Sequence, residues 1–598
     1  MVKGYKDGFQ NTIVSQFKLN QELPFVTEGL ALNAKVSIKN YSSYESRRSY
    51  SPYYYSMLDY DEFNNTYNLT NVKEGDINLG DASTTRLANS FLYFEAGASY
   101  NRTFNDAHEV GAVVIYTQEE KKKSGTSGTR TIQESLPSRN QGIRGRVNYA
   151  FKGRYMVEAS LTYNGSEKFN ADHRWGLFPA VGVGYMISNE PFWKPVEKVI
   201  NKLKLRYSWG RVGNDNIGDD IDRFKFLSQI TSYSGGGYYS NSLFSSSLGH
   251  FDIVRMANPL ITWEIATKQN IGIDMSLFKA ADLMVEYFTE KRTGIYQLRQ
   301  SMPSSTGLAG KDLYGNVGEA KAHGIDASLD LNFAIGRDAY ITGRFNYTYS
   351  HSEVVEQDEA PYKDNLKYLS RVGYPARQQW GYVAERLFID EADIINSPQQ
   401  TVNGSSAAEI KPGDIKYKDI NGDGIVDTND QVPLGYPTTP EINYGFGLSM
   451  GYKWFDLSFF FQGQDRASFF INPNKIVPLV GARNVLQYIA DSHWSPNDPK
   501  SNAFWPRLSA DGSANNTAQY STWWLRNGRF LRLKSLEFGY SLSEKTLKKT
   551  PLKGFRVYFS GTNLVCFSQF KIWDPEMADN GLGYPLQRVY SIGVNITF

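Results

Sequence analysis

The stretch Tyr590-Ser-Ile-Gly-Val-Asn-Ile-Thr-Phe598, the last nine residues of the chain, decides the fold class. Tyr590, Ile592, Val594, Ile596 and Phe598 share one parity; Ser591, Gly593, Asn595 and Thr597 share the other. A β-strand sends successive side chains to opposite faces, so this ribbon is greasy on one side and small and polar on the other. A terminal aromatic residue is how a transmembrane strand ends when its rim sits in the aromatic girdle between lipid and water. The five apolar residues therefore read as a membrane-insertion signal. The edge strand of a soluble sandwich shows the same alternation, so this segment alone leaves both readings open.

Composition favours the membrane. The chain has 598 residues, 41% hydrophobic and 14% aromatic, with 40 Tyr, 35 Phe and 52 Gly. Mean hydropathy is −0.46. No run approaches the roughly 18 apolar residues of a transmembrane helix. A barrel needs none, because only alternate residues meet lipid while the others face a wet lumen. Net charge is +2, from 64 basic and 62 acidic residues, so no nucleic-acid partner is expected. The single cysteine, Cys566, lies in the apolar run Asn563-Leu-Val-Cys-Phe567 and excludes an intramolecular disulfide framework. Met1-Val-Lys-Gly-Tyr-Lys-Asp-Gly8 lacks the apolar core of a signal peptide.

Period-2 segments recur throughout, for example Leu30/Leu32/Ala34/Val36/Ile38, Tyr155/Val157/Ala159/Leu161/Tyr163 and Phe455/Leu457/Phe459/Phe461. Each is about ten residues long, enough for a tilted strand to cross a bilayer. Terse connections such as Phe151-Lys-Gly-Arg154, Gly336-Arg-Asp338 and Tyr452-Lys-Trp454 alternate with long ones around 40–89, 210–266, 293–322, 350–440, 465–527 and 564–589. Outer-membrane barrels are built this way, with short periplasmic turns and extended extracellular loops.

The fold class expected is all-β, a transmembrane antiparallel β-barrel. Counting back from Phe598 gives roughly 17 crossing strands, the first near Gly8–Leu19. An odd count cannot close an antiparallel single-chain barrel. The barrel is therefore expected to be incomplete at its N-terminal side, with at least one strand preceding Met1, which also accounts for the lack of a signal peptide.

Six ordered segments carry a resemblance. They are Lys204-Leu-Arg-Tyr-Ser-Trp-Gly-Arg-Val-Gly-Asn-Asp-Asn-Ile217, Asn258-Pro-Leu-Ile-Thr-Trp-Glu264 with Gln269-Asn-Ile-Gly-Ile-Asp274, and Asn316-Val-Gly-Glu-Ala-Lys-Ala-His-Gly-Ile325. The others are Gly413 to Asp427, Phe530-Leu-Arg-Leu-Lys-Ser-Leu-Glu-Phe-Gly-Tyr540, and Val557-Tyr-Phe-Ser-Gly-Thr-Asn-Leu564 leading to Asp574-Pro-Glu576. From about residue 15 to the end, the chain resembles the SusC/RagA family of TonB-linked outer-membrane transporters found in Bacteroidetes. The resemblance implies a barrel of roughly 22 strands with a plugged lumen, capped by a SusD-like surface lipoprotein. It implies import of oligosaccharides, or peptides in some members, driven by TonB.

The family's signal peptide, TonB box, plug and first strands are absent from this sequence. TonB is therefore expected as a partner only through the missing plug region, while residues 1–598 supply barrel wall and outer loops amid outer-membrane lipid.

One site has chemistry in its spacing. Asp419, Asn421, Asp423, Asp427 and Asp430 stand at positions 1, 3, 5, 9 and 12 of a loop, with Gly424 at position 6 and the Ile425 carbonyl at position 7. This is the oxygen-donor pattern of an EF-type calcium loop, with Asp in place of the final Glu. The flanks read as extended, so a stand-alone calcium loop is expected, inside an extracellular insertion spanning 391–440. The competing reading is an Asx-rich turn that satisfies itself by side-chain-to-backbone hydrogen bonds.

Aromatic residues in the outer loops are weaker candidates for substrate contact: Tyr53, Tyr54, Tyr238, Tyr239, Trp380, Trp523 and Trp524. Aromatic faces stack on sugars and also pack against peptides, although loop packing explains most such residues. The pair Asp219/Asp220 reads as a solvated turn, and the six histidines show no metal spacing. No nucleophile–histidine constellation stands out, so the chain is read as a transporter component and not an enzyme. An outer-membrane barrel enzyme and a truncated, non-functional reading frame are the alternatives.

Overall fold

A computed structural model of the chain describes residues 4–123, 136–218, 223–233, 250–302, 304–306, 311–359, 361–402, 410–478, 484–508, 519–548 and 550–598. Alternating polarity produces one 17-stranded antiparallel sheet whose spatial order is the chain order. Its strands are Tyr5–Glu22 (β1), Leu30–Arg48 (β2), Ser83–Phe104 (β3), His108–Lys123 (β4), Ser138–Phe151 (β5), Tyr155–Ser166 (β6), Trp175–Met186 (β7), Ile200–Asn214 (β8) and Glu264–Leu277 (β9). The remainder are Ala281–Leu298 (β10), Tyr314–Ile335 (β11), Ala339–Glu356 (β12), Ile442–Tyr452 (β13), Phe455–Asp465 (β14), Phe530–Ser541 (β15), Gly554–Ser568 (β16) and Val589–Thr597 (β17). The expected strand number is borne out. Among the described residues β1 and β17 do not pair with each other, so the sheet is open along those two edges.

Register carries the two-faced pattern across the sheet. Leu205, Ile273, Val285, Ala327, Tyr347 and Tyr444 stand opposite one another in a single row over β8–β13. The neighbouring row over the same strands is Arg206, Gly272, Glu286, Asp326, Thr348 and Asn443. A slip of one residue would swap these rows between the faces, so the lipid and lumenal surfaces pin the register.

Tight turns close one end of the sheet. Lys152 and Gly153 take φ 52° and 61°, and Asn105 and Asp106 take φ 51° and 52°. Two consecutive positive φ values make the primed turn that matches the twist of a hairpin. Phe278 and Lys279 do the same at φ 54° and 57° without a glycine, a strained choice for a bulky residue.

Since the wall turns its apolar face outward, buried hydrophobics concentrate in the loops at the opposite end. The described residues of the segments 357–441, 466–529 and 569–588 contribute to one core that includes Leu387, Tyr417, Val426, Ile471, Trp505, Trp524 and Phe570. From within 391–440, Val402, Ile415, Tyr417, Val426 and Leu434 belong to this shared core. Short strand pairs tie this cap together, such as Ala384–Leu387 with Ile415–Tyr417 and Ser468–Phe470 with Leu525–Asn527.

Candidate functional site

The lumenal face is polar and stitched by ions. Arg206 donates to Asp274 at 3.2 Å and also reaches Glu286 across Gly272. A Cβ at Gly272 would lie 2.7 Å from the Arg206 guanidinium carbon, so the glycine lets this arginine lie flat and bridge three strands. Arg344 pairs with Asp330 at 2.8 Å, and Arg556 joins Asp456 to Glu537, the latter at 2.6 Å. These residues were not singled out from sequence, although each stands at the polar parity of an alternating strand.

The calcium-like loop lies within the cap. Asp419 accepts from the Gly422 and Gly424 amides at 2.7 and 2.8 Å, Asp423 from Ile425 at 2.9 Å, and Asp427 from Asn429 at 2.7 Å. The Asn421 side-chain oxygen Oδ1 accepts from the Asp423 amide at 2.9 Å. Asp430, fully buried, accepts from the Ile420, Asn421 and Asp427 amides at 2.7, 3.3 and 2.8 Å. Gly424 takes φ 85°, the sharp turn its position calls for. Ile425 and Val426 pair in parallel with Gln399 and Gln400, and Thr428–Asp430 is a single 3-10 turn, so the flanks are not helical. Among the described residues no group of three His, Cys, Asp or Glu side chains is arranged to hold a metal ion. The hydrogen-bond pattern is that of a self-satisfied Asx turn.

Negative charge nevertheless accumulates here. Among the described residues Asp419, Asp423, Asp427 and Asp430 form no ion pair with a basic side chain. Burial raises the pKa of the nearby Tyr368 hydroxyl, and the four aspartates push it further in the same direction.

The aromatic candidates separate into distinct environments. Tyr53 and Tyr54 are exposed at a long-loop hairpin, with Tyr53 stacked on Tyr55 at 6.5 Å. Trp380 packs edge-on against Tyr374 at 5.4 Å, with Arg371 over its ring at 5.5 Å. Trp523 donates its indole N–H to the Phe504 carbonyl at 3.1 Å. Trp524 is wholly buried against Trp505, so it is a core residue with no ring face left for a substrate. Tyr238, Tyr239, Asp219 and Asp220 lie outside the described residues.

In β17, Ile592 stands opposite Phe559 and Val594 opposite Val557, both on the outward parity. Ile592 is 79% exposed and Phe598 75%. A chain that leaves such rows bare along its whole wall has to set them against lipid.

The sequence model of the family described as TonB dependent receptor-like, beta-barrel matches residues 4–564. The chain belongs to that family.

Within the TonB-dependent receptor family, the chain is 27% identical over 537 residues to TonB-dependent receptor P26 of Formosa agariphila, covering 84% of this chain and 51% of that protein. It is 26% identical over 470 residues to TonB-dependent receptor SusC of Bacteroides thetaiotaomicron, covering 76% and 43%. The fold also matches a solved structure of the RagAB peptide importer with a TM-score of 0.68 at 20% identity, over 99% of this chain and 63% of that one. The SusC/RagA resemblance is thus borne out, and with it the outer-membrane location. The chain spans about half the length of the curated relatives it matches.

Proposed function

We propose that this receptor-family chain forms the wall and outer cap of a TonB-dependent importer for oligosaccharides or peptides, working with a SusD-like surface lipoprotein. One observation carries the reading: a continuous 17-stranded sheet, apolar on one face and ion-paired on the other, in a chain matched by the receptor family over residues 4–564. The long-loop end, with its shared core, is the extracellular mouth, and TonB supplies the energy for import. No catalytic role is assigned to the chain. Uptake of labelled oligosaccharides and peptides by cells with and without the gene tests this. Deletion is expected to abolish uptake of one class, in a manner sensitive to a protonophore; unchanged uptake of both contradicts the reading.

We further propose that Asp419, Asn421, Asp423, Ile425, Asp427 and Asp430 bind calcium through oxygen atoms. The support is the donor spacing and the concentration of carboxylates without basic partners among the described residues. Apart from Asp430 Oδ1, which accepts from both the Ile420 and Asn421 amides, each acceptor oxygen of the loop takes one hydrogen bond and keeps a lone pair for a hard cation. The bound ion would stiffen the cap on which a lipoprotein partner rests.

A further inference from the structure

Charges on the lumenal face are not evenly neutralised around the wall. On the later strands several lumenal arginines face carboxylates: Arg292 meets Glu264 and Glu290, Arg344 meets Asp330, and Arg556 meets Asp456 and Glu537. On β2 and β5, Lys35, Lys39, Arg144 and Arg146 share the lumenal parity. Among the described residues none of these four has a carboxylate within ion-pair distance. Lys39, Arg144 and Arg146 are also exposed.

Near the long-loop end of this basic stretch, β2, β3 and β4 line a pocket of about 480 Å³. Lys39 stands directly opposite Phe91, which stands opposite Lys121. Phe91 and Tyr93 occupy successive lumenal positions of β3, with ring centres 6.3 Å and planes 22° apart. The Lys121 ammonium lies 5.6 Å from the Phe91 ring centre, and that of Lys35 lies 5.3 Å from the Tyr93 ring centre. Two carboxylates are present: Glu119 pairs with Lys121 at 3.2 Å, and Glu95 accepts the Tyr93 hydroxyl at 2.5 Å. They leave the patch with an excess of cations.

A strip of two aromatic rings bracketed by ammonium groups suits a ligand with apolar faces and negative charge. A carboxylated sugar offers both, its C–H face to the rings and its carboxylate to the lysines. A peptide seeks unpaired main chain at a sheet edge, whereas β3 is already paired on both sides. We propose that this pocket is a subsite for carboxylate-bearing oligosaccharides at the mouth of the lumen, an inference that rests on the importer reading.

The test is binding of labelled tetragalacturonate, maltotetraose and tetraglutamate to the full chain folded in detergent micelles. Tetragalacturonate is expected to bind at least about tenfold tighter than maltotetraose, and to weaken as salt rises through screening. Combining Lys39→Gln with Lys121→Gln should remove that preference, Lys39→Arg should keep it, and Phe91→Leu should weaken binding of all saccharides. Heat-modifiable gel mobility confirms folding of each variant. Equal binding of the neutral sugar, indifference to the lysine substitutions, or tetraglutamate binding as tightly as tetragalacturonate each overturns the proposal. Those results leave the importer reading intact, because that reading stands or falls on cellular uptake.

Discussion

Arg532, 2% exposed in β15, donates from its guanidinium to Asp574 at 2.6 Å, with Glu576 at 3.3 Å. Two segments separate in the sequence, Phe530 to Tyr540 and Asp574-Pro-Glu576, thereby join the barrel wall to the loop 569–588. Removing one partner of a buried pair strands the other charge and costs about 3–5 kcal/mol. Asp574→Ala, which leaves the buried guanidinium short of a carboxylate, is expected to loosen this loop more than Arg532→Met, which leaves a partly solvated aspartate. The rate of trypsin cleavage at Lys571 reports it, and equal rates in the two variants would refute the ranking.

A second tie connects neighbouring loops. Asp358 accepts from Arg299 at 2.9 Å, from the Gln300 and Ser301 amides at 2.7 and 3.3 Å, and from the Ser301 hydroxyl at 2.6 Å. Burial pushes its carboxyl up, but the bonds from Ser301, Arg299 and Gln300 outweigh that and hold it down to about 2, against an ordinary 3.8. A depressed carboxylate contributes stability that is complete above its unfolded pKa and lost as pH falls toward the folded one. Hydrogen exchange should therefore show the Gln300 and Ser301 amides protected at neutral pH and progressively opened below about pH 4. Asp358→Asn should show weak protection at every pH.

The cap depends on its aromatic core. Trp524, wholly buried against Trp505, fills its centre. Trp524→Ala is expected to cost the cap about 3–5 kcal/mol through the cavity left behind. Limited proteolysis should then cut within 466–529 while heat-modifiable mobility of the barrel stays unchanged. Resistance equal to the parent would show that the cap is not a cooperative unit.

Calcium should raise the unfolding temperature of the cap, and Asp423→Ala should abolish that rise while leaving the calcium-free value close to the parent's. Asp423 is the apt position because among the described residues its carboxylate accepts hydrogen bonds only from Ile425 and Asn421, so its loss disturbs the apo turn little. The absence of any calcium response in the parent would leave the Asx turn as the whole account of the loop.

Much of the wall was legible in sequence because period-2 polarity is imposed locally, residue by residue, as in Ile273 and Asp274 or Phe559 and Ser560. It failed where a bulge changes parity. Around Lys534 the pairing shifts, so Arg532 and Glu537 share the lumenal face despite opposite numbering parity. The cap was not legible, because its core is assembled from three loops without periodicity. Neighbours such as Trp523 and Trp524 look alike in sequence, and only long-range packing makes one a core residue. The lumenal ion pairs escaped for the same reason: Arg206 and Glu286 become partners only once register places Gly272 between them.

One face of this sheet meets lipid and the other a wet lumen. Ala327 and Ser328 are adjacent in β11 and lie on opposite faces, Ala327 opposite Val285 and Tyr347, Ser328 opposite Met284 and Asn346. Spin labels on Ala327→Cys and Ser328→Cys, in a Cys566→Ser background and in outer-membrane vesicles, report each environment by relaxation. Position 327 is predicted to be relaxed by oxygen and shielded from a water-soluble nickel chelate, and position 328 to show the reverse. Equal access of the chelate to both positions would contradict the membrane wall.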